Sequence, residues 1–218
     1  MRACLLLHGF TGGPYELEPL ARHLRSRGWV CSVPTLPGHG GTPGMLGKAR
    51  RGDWLDAASK LARLLSERYE SIDLVGFSMG GLLAAYLTNR FPIRRLVLLN
   101  AAVIYVSPAR FVRNAVRQIR TGNTEKLRAK HETPLGAIIQ FMRLVNEVKP
   151  EFSRVQVPTL VVQGDSDEIV HPRSAFYIHQ KLKGEKELLV LPKSPHMICY
   201  GEDAEELFGK VEQFLRKP

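Results

Sequence analysis

The run LVGFSMGG at 74–81 constrains this chain more than any other feature, because an apolar strand-like segment passes through G-x-S-x-G straight into the helix-forming LLAAYL at 82–87. The pattern predicts a sharp strand-to-helix turn, a nucleophile elbow, with Ser78 at its tip. A serine hydroxyl is a weak nucleophile until it is lifted out of the surrounding packing and set beside a base, and such a turn does the lifting. Gly76 and Gly80 flank Ser78 because a side chain at either position would collide with the neighbouring strand or helix at so tight a corner. Alone, the pentapeptide also fits a glycine-rich turn that happens to contain a serine. The rest of the chain decides between the two.

Near the amino terminus, ACLLL at 3–7 reads as a short buried strand and is followed at once by HGFTGG at 8–13. A loop of this composition lets backbone N–H groups point at a developing anion. In an elbow arrangement one oxyanion donor is the N–H of the residue after the nucleophile, here Met79, and the other comes from the loop after an earlier strand, here Phe10. An acid and a base are then expected downstream, in that order. The strand-like TLVVQ at 159–163 ends in GDSDEIV at 164–170, so carboxylates sit in the loop just past a buried strand, and of these Asp167 is chosen over Asp165. A further apolar run, LLVL at 188–191, leads through PKSP to His196. Strand ends on one side of a parallel sheet converge, so Ser78, Asp167 and His196 are expected to meet despite their distance in sequence.

Five segments, HGFTGGP at 8–14, PGHG at 37–40, GFSMGG at 76–81, VVQGDSDEIV at 161–170 and SPH at 194–196, make the chain resemble the α/β-hydrolases, and within them the small bacterial carboxylesterases and monoacylglycerol lipases. The resemblance implies a triad of Ser78, Asp167 and His196, with Phe10 and Met79 as the oxyanion hole. It also implies ester cleavage through an acyl-enzyme, with no cofactor and no metal. Two departures stand out. The family commonly has Gly where this chain has Pro195, which stiffens the loop carrying the base, and it usually has one or two strands before the first one here.

Apolar runs at 3–7, 29–34, 71–76, 95–99, 159–164 and 186–191 alternate with helical patterns, which predicts an α/β fold: a mainly parallel, doubly wound sheet of about six strands. The family's strand order puts the first and third strands together at a topological switch point. A helix from Asp53 to about Tyr69 is expected to bury Leu55, Ala58, Leu61, Ala62 and Leu65, and a last helix has Asp203 and Glu206 at capping-box spacing. The alternation fails only at 101–149, which carries two helical stripes, one through Phe111, Val112, Ala115, Val116 and Ile119, the other through Leu135, Ile138, Ile139, Met142 and Val145. This segment is read as a helical cap inserted between core segments 1–100 and 150–218, with Ile139 and Met142 as candidates for the acyl pocket.

Composition narrows the remaining classes. A chain of 218 residues with 44% hydrophobic content is large enough for one well-buried domain. No apolar run approaches the roughly 18 residues of a membrane span, and the short apolar start lacks the core and cleavage site of a signal peptide, so a cytoplasmic protein without stable membrane insertion is expected. Cys4, Cys31 and Cys199 have no metal-ligand spacing and read as buried or half-buried thiols, although Cys4 and Cys31 begin runs that fit adjacent strands, where a disulfide is conceivable. The net charge of +10 is spread along the chain without a nucleic-acid-binding module, which favours a solvated basic surface and a small-molecule ester as partner, with a monomer or homodimer as the assembly. His39, His131, His171 and His179 read as structural or exposed, and His8 as a residue that sets its loop. Thioesterase, amidase and carbon–carbon bond hydrolase chemistry use the same triad, and a non-catalytic receptor on the same fold is the alternative outside enzymes.

Overall fold

The computed structural model of the protein describes residues 2–41, 43–104 and 133–217. Six strands form one sheet: β1 (Ala3–Leu7), β2 (Val30–Ser32), β3 (Ile72–Phe77), β4 (Ile93–Leu99), β5 (Thr159–Gly164) and β6 (Lys186–Leu191). Every pairing is parallel and the spatial order is β2-β1-β3-β4-β5-β6. β1 therefore lies beside β3, where the direction of winding reverses, and its register sets Leu7 against Gly76. In open parallel sheets ligands bind at the carboxyl ends of the strands that flank such a reversal. The 8–13 loop and Ser78 both emerge there.

Seven α-helices are described: α1 (Glu18–Ser26), α2 (Pro43–Lys48), α3 (Arg51–Arg68), α4 (Met79–Thr88), α5 (Leu135–Val148), α6 (Arg173–Lys181) and α7 (Ala204–Arg216). The period-two alternation of the strands sorts them onto two faces. Leu5, Leu7 and Leu74 pack with Trp54 and Ala58 of α3, Leu82 and Leu83 of α4, and Phe141 and Leu144 of α5. Cys4, Leu6, Val75, Phe77 and Val97 face the other way, onto Leu20 and Leu24 of α1 and Leu207, Val211 and Phe214 of α7. β1, β3 and β5 are buried throughout because they have neighbours on both edges and helices on both faces. β2 is shorter than the 29–34 run suggests; it is an edge strand paired only through Ala3, Cys4 and Leu5.

Two further expectations meet the structure differently. Leu55, Ala58 and Ala62 of α3 are buried, while Leu61 and Leu65 lie partly exposed beside them. At α7 the capping box does not form, because the Asp203 carboxylate accepts instead from Lys193 N at 2.9 Å and Ser194 Oγ at 3.0 Å. That carboxylate pins the turn leading to His196 rather than the end of its own helix. Within 101–149 the stripe through Phe111 to Ile119 lies outside the described residues, as does His131. The second stripe forms α5, which packs on α2, α3 and α4.

Candidate active site

Ser78 stands between β3 and α4 with φ 53° and ψ −116°, a conformation that a non-glycine residue holds only when its surroundings impose it. The surroundings are visible. Ser78 N donates to Leu99 O at 2.9 Å, and Ser78 O accepts from Gly81 N at 3.1 Å and Ala102 N at 3.3 Å. A β-carbon on Gly80 would fall on the Leu7 carbonyl, and one on Gly76 would overlap the Gly80 carbonyl. The flanking glycines are thus required by close approach of the chain to itself. Ser78 is 6% exposed, and the start of α4, with the Met79 N–H, follows directly.

The loop after β5 carries Asp167, 5% exposed, whereas Asp165 two residues earlier is exposed. Asp167 Oδ1 accepts from the backbone N–H groups of Ile169 and Val170, each at 2.8 Å, which fixes the rotation of the carboxylate. Its Oδ2 lies 2.9 Å from His196 Nδ1, and Oδ1 lies 3.1 Å from the same nitrogen. This leaves Nε2 as the outward nitrogen of an imidazole that is 8% exposed and packs on the Phe77 ring at a centroid separation of 4.9 Å. The Asp167–His196 pair is therefore formed, and Ser78 follows Phe77 at the same edge of the sheet; Ser78 Oγ makes no hydrogen bond to the imidazole among the described residues.

Asn100 is a residue the sequence reading passed over. It ends β4 at φ 44°, is fully buried, and donates from Nδ2 to His196 O at 2.9 Å and Pro195 O at 3.2 Å. Its Oδ1 accepts Gly164 N at 2.8 Å. One amide thus joins the end of β4 to the acid-bearing and base-bearing loops. Glu168 adds an acceptor for His196 N at 3.2 Å. The available signal was an asparagine, a residue that tolerates the left-handed region, directly after an apolar strand-like run.

On the other side of Ser78, His8 sets its loop as expected. Its Nδ1 lies 2.9 Å from Gly9 O and its Nε2 accepts Leu36 N at 3.0 Å, so both nitrogens are engaged by backbone. Burial pushes the imidazole down to about 4, which keeps it neutral around pH 7. The His39 ring packs against it at 4.8 Å, is 7% exposed, and is likewise held down by burial. Phe10 lies beneath α5: its ring stacks on Phe141 at 4.6 Å and meets Trp54 edge-on at 5.8 Å. Helical phase therefore turns Phe141 toward the 8–13 loop, while Ile139 is 44% exposed and Met142 half-buried. The sequence reading named neither Phe141 nor the buried Glu16, whose Oε2 accepts Gly9 N at 2.8 Å.

The thiols lie apart from this chemistry. Cys4 and Cys31 are register partners on β1 and β2 and both are free; Cys31 is held down first by its hydrogen bond with Cys4, which raises the Cys4 thiol. Burial pushes Cys199 up to about 12. Among the described residues no group of three or more His, Cys, Asp or Glu side chains is placed to hold a metal ion, and no helix is long and apolar enough to cross a membrane.

The chain is 29% identical to a thermostable monoacylglycerol lipase of Bacillus sp. (strain H-257) over 98% of its own length and 90% of that protein's. It is also 29% identical to a carboxylesterase of Bacillus subtilis (strain 168), over 99% and 93% of the two chains. Among solved structures, one of the metagenome-derived lipolytic enzymes LipS and LipT superposes with a TM-score of 0.86 at 26% identity, covering 100% of this chain and 94% of that one. A monoacylglycerol lipase from Paleococcus ferrophilus gives 0.78 at 20% identity, over 98% and 93%, a likeness of fold. The alpha/beta hydrolase family model matches residues 4–210, so the strained serine at the β3–α4 corner and the Asp167–His196 pair belong to a member of the alpha/beta hydrolase family.

Proposed function

We propose that the protein is a serine hydrolase that cleaves carboxylic esters of short to medium acyl chains, monoacylglycerols among them, by two-step acyl transfer. The observation that carries this reading is the bond from Asp167 to His196 Nδ1, which leaves Nε2 as the nitrogen available to a nucleophile at a sheet edge where Ser78 is held in a strained elbow. His196 takes the Ser78 proton as Oγ attacks the ester carbonyl, and Asp167 orients the imidazole and stabilises its cation. The N–H groups of Phe10 and Met79 hold the oxyanion, an arrangement worth about 3–4 kcal/mol per donor. The alcohol leaves with the proton from His196, and water, activated by the same base, releases the acid. The carboxylesterase and lipase relatives favour oxygen esters over other acyl donors.

Segment 101–149 is taken as a cap inserted in the core, supported by α5 packing over α2, α3 and α4 and by Phe141 lying on Phe10. The deciding experiment is hydrolysis of p-nitrophenyl esters of increasing chain length, with thioester and amide analogues, by the wild type and Ser78→Ala. The wild type is expected to release p-nitrophenol in a burst and to be labelled at Ser78 by an organophosphonate. The variant is expected to keep its fold and to lose about 10³-fold or more in kcat. Turnover retained by a folded Ser78→Ala protein rules the mechanism out.

A further inference from the structure

Glu16 takes part in no step above, yet the oxyanion loop is wrapped around it. It closes the 3-10 turn Pro14–Glu16, is 8% exposed, and accepts Gly9 N–H at 2.8 Å. A β-carbon on Gly9 would lie 3.2 Å from Glu16 Oε2 and 3.3 Å from both Ser78 Cβ and the edge of the Phe77 ring, on which His196 packs at 4.9 Å, so the carboxylate, the serine and the platform of the imidazole approach the same glycine. One on Gly12 would overlap the carboxyl group itself. The segment carrying Phe10 is therefore seated on a carboxylate at two points, Gly9 and Gly12. Taking a charge out of water is costly, and a neutral glutamine would accept the same N–H without that cost. A purely architectural role does not explain an acid here.

The ionisable groups that feel Glu16 are Tyr15 beside it, Cys199 on the turn after the base, and His196. Burial raises Tyr15 and Cys199, each with a further rise from Glu16, so both are neutral around pH 7. His196 is the group that acquires a positive charge during turnover. We propose that Glu16 is a positioning residue of this site, its carboxylate seating the oxyanion loop through Gly9 and supplying, with Asp167, the negative charge that stabilises the His196 imidazolium. This rests on the serine-hydrolase reading. Burial pushes Glu16 up to about 7, the His196 and backbone interactions opposing it. Because the folded acid holds its proton more tightly than the unfolded one, its contribution to stability is full below the ordinary carboxylate range and is lost as pH rises through about 7. The charge that assists catalysis appears over the same interval. Stability and turnover are thus expected to move in opposite directions.

The test is Glu16→Gln in the full chain, with kcat, KM and thermal midpoint followed between about pH 5 and pH 9 on a soluble p-nitrophenyl ester. Expected is a fall in kcat of about tenfold at alkaline pH with KM little changed, a smaller rise of kcat with pH than the wild type's (the part due to deprotonation of the general base remaining), and a midpoint above the wild type's at alkaline pH. Glu16→Asp, which keeps the charge with a shorter reach, is expected to retain a pH step at reduced kcat. Wild-type kcat at every pH in Glu16→Gln overturns the proposal, as does a loss confined to KM. Organophosphonate labelling separates the two readings: an unlabelled Ser78 in the wild type defeats the hydrolase assignment, whereas a labelled Ser78 whose rate is the same in the wild type and Glu16→Gln at every pH defeats only the role of Glu16.

Discussion

Asp167 and Glu16 are both carboxylates buried at the carboxyl edge of the sheet, one on the base side of Ser78 and one on the oxyanion side, and the fold treats them differently. Asp167 is surrounded by donors: Ile169 N, Val170 N and His196 Nδ1, with Gln163 Nε2 at 3.4 Å. Glu16 has only backbone donors, Gly9 N at 2.8 Å with a smaller contribution from Gly13, and these do not offset its desolvation, so burial holds its proton on up to about 7. A carboxylate with donors on every side acts as a fixed fitting. One that is short of donors keeps its proton into the neutral range, which is the property that the role proposed for Glu16 uses.

The sharpest way to break the contrast is on the base side. In Asp167→Asn the two backbone N–H groups take the amide oxygen, turning its NH₂ toward His196 Nδ1 and forcing the wrong tautomer. kcat is expected to fall by about 10³-fold or more, while Asp165→Asn, at an exposed position, stays within a few-fold. An exchange of those phenotypes would reverse the assignment. Next in size is Asn100→Ala, which strands Gly164 N–H and Pro195 O and leaves His196 O with Ile198 N alone; it should cost about 2 kcal/mol or more in denaturant unfolding, with a drop in kcat from the loosened loop that carries His196. Equal stability of the variant and wild type would show that the two loops hold each other without it. The smallest effect is expected on α5. Phe141→Ala should move the chain-length optimum to longer esters, each added buried methylene contributing up to about 0.8 kcal/mol, whereas Ile139→Trp should leave it in place. The opposite ranking would put the exposed side of α5 against the substrate.

The strands were legible because each is a short apolar run closed by turn residues, and Ser78 because the glycines its corner needs are adjacent in sequence. Asp167 was preferred to Asp165 on its place in the family pattern and on an expected projection beyond β5, and it is Asp167 that bonds His196. What was not legible depends on contacts between distant segments. Glu16 lies in PYELEP, which reads as the acidic start of a surface helix, and nothing local says that the 8–13 loop folds over it. Asn100 looks like a strand terminator until the loops at 164 and 195–196 arrive beside it. On α5 the apolar spacing marks a helix, but which flank meets Phe10 is decided by the angle at which it crosses α3 and α4. Asp203 has cap spacing, and the backbone at Lys193 takes the carboxylate first.

The Asn100 junction also bears on when the protein becomes active. Its amide ties residues separated by 64 positions on one side and 96 on the other, so the loop-closure entropy of most of the chain is spent before that amide has all its partners. A nascent chain released before β6 has every strand that surrounds Ser78 and still lacks the turn that delivers the imidazole. If Ser78 and His196 act together as proposed, hydrolysis is a late event in the life of the polypeptide: a truncated or half-assembled copy buries its central strands and carries Ser78 without the base it needs.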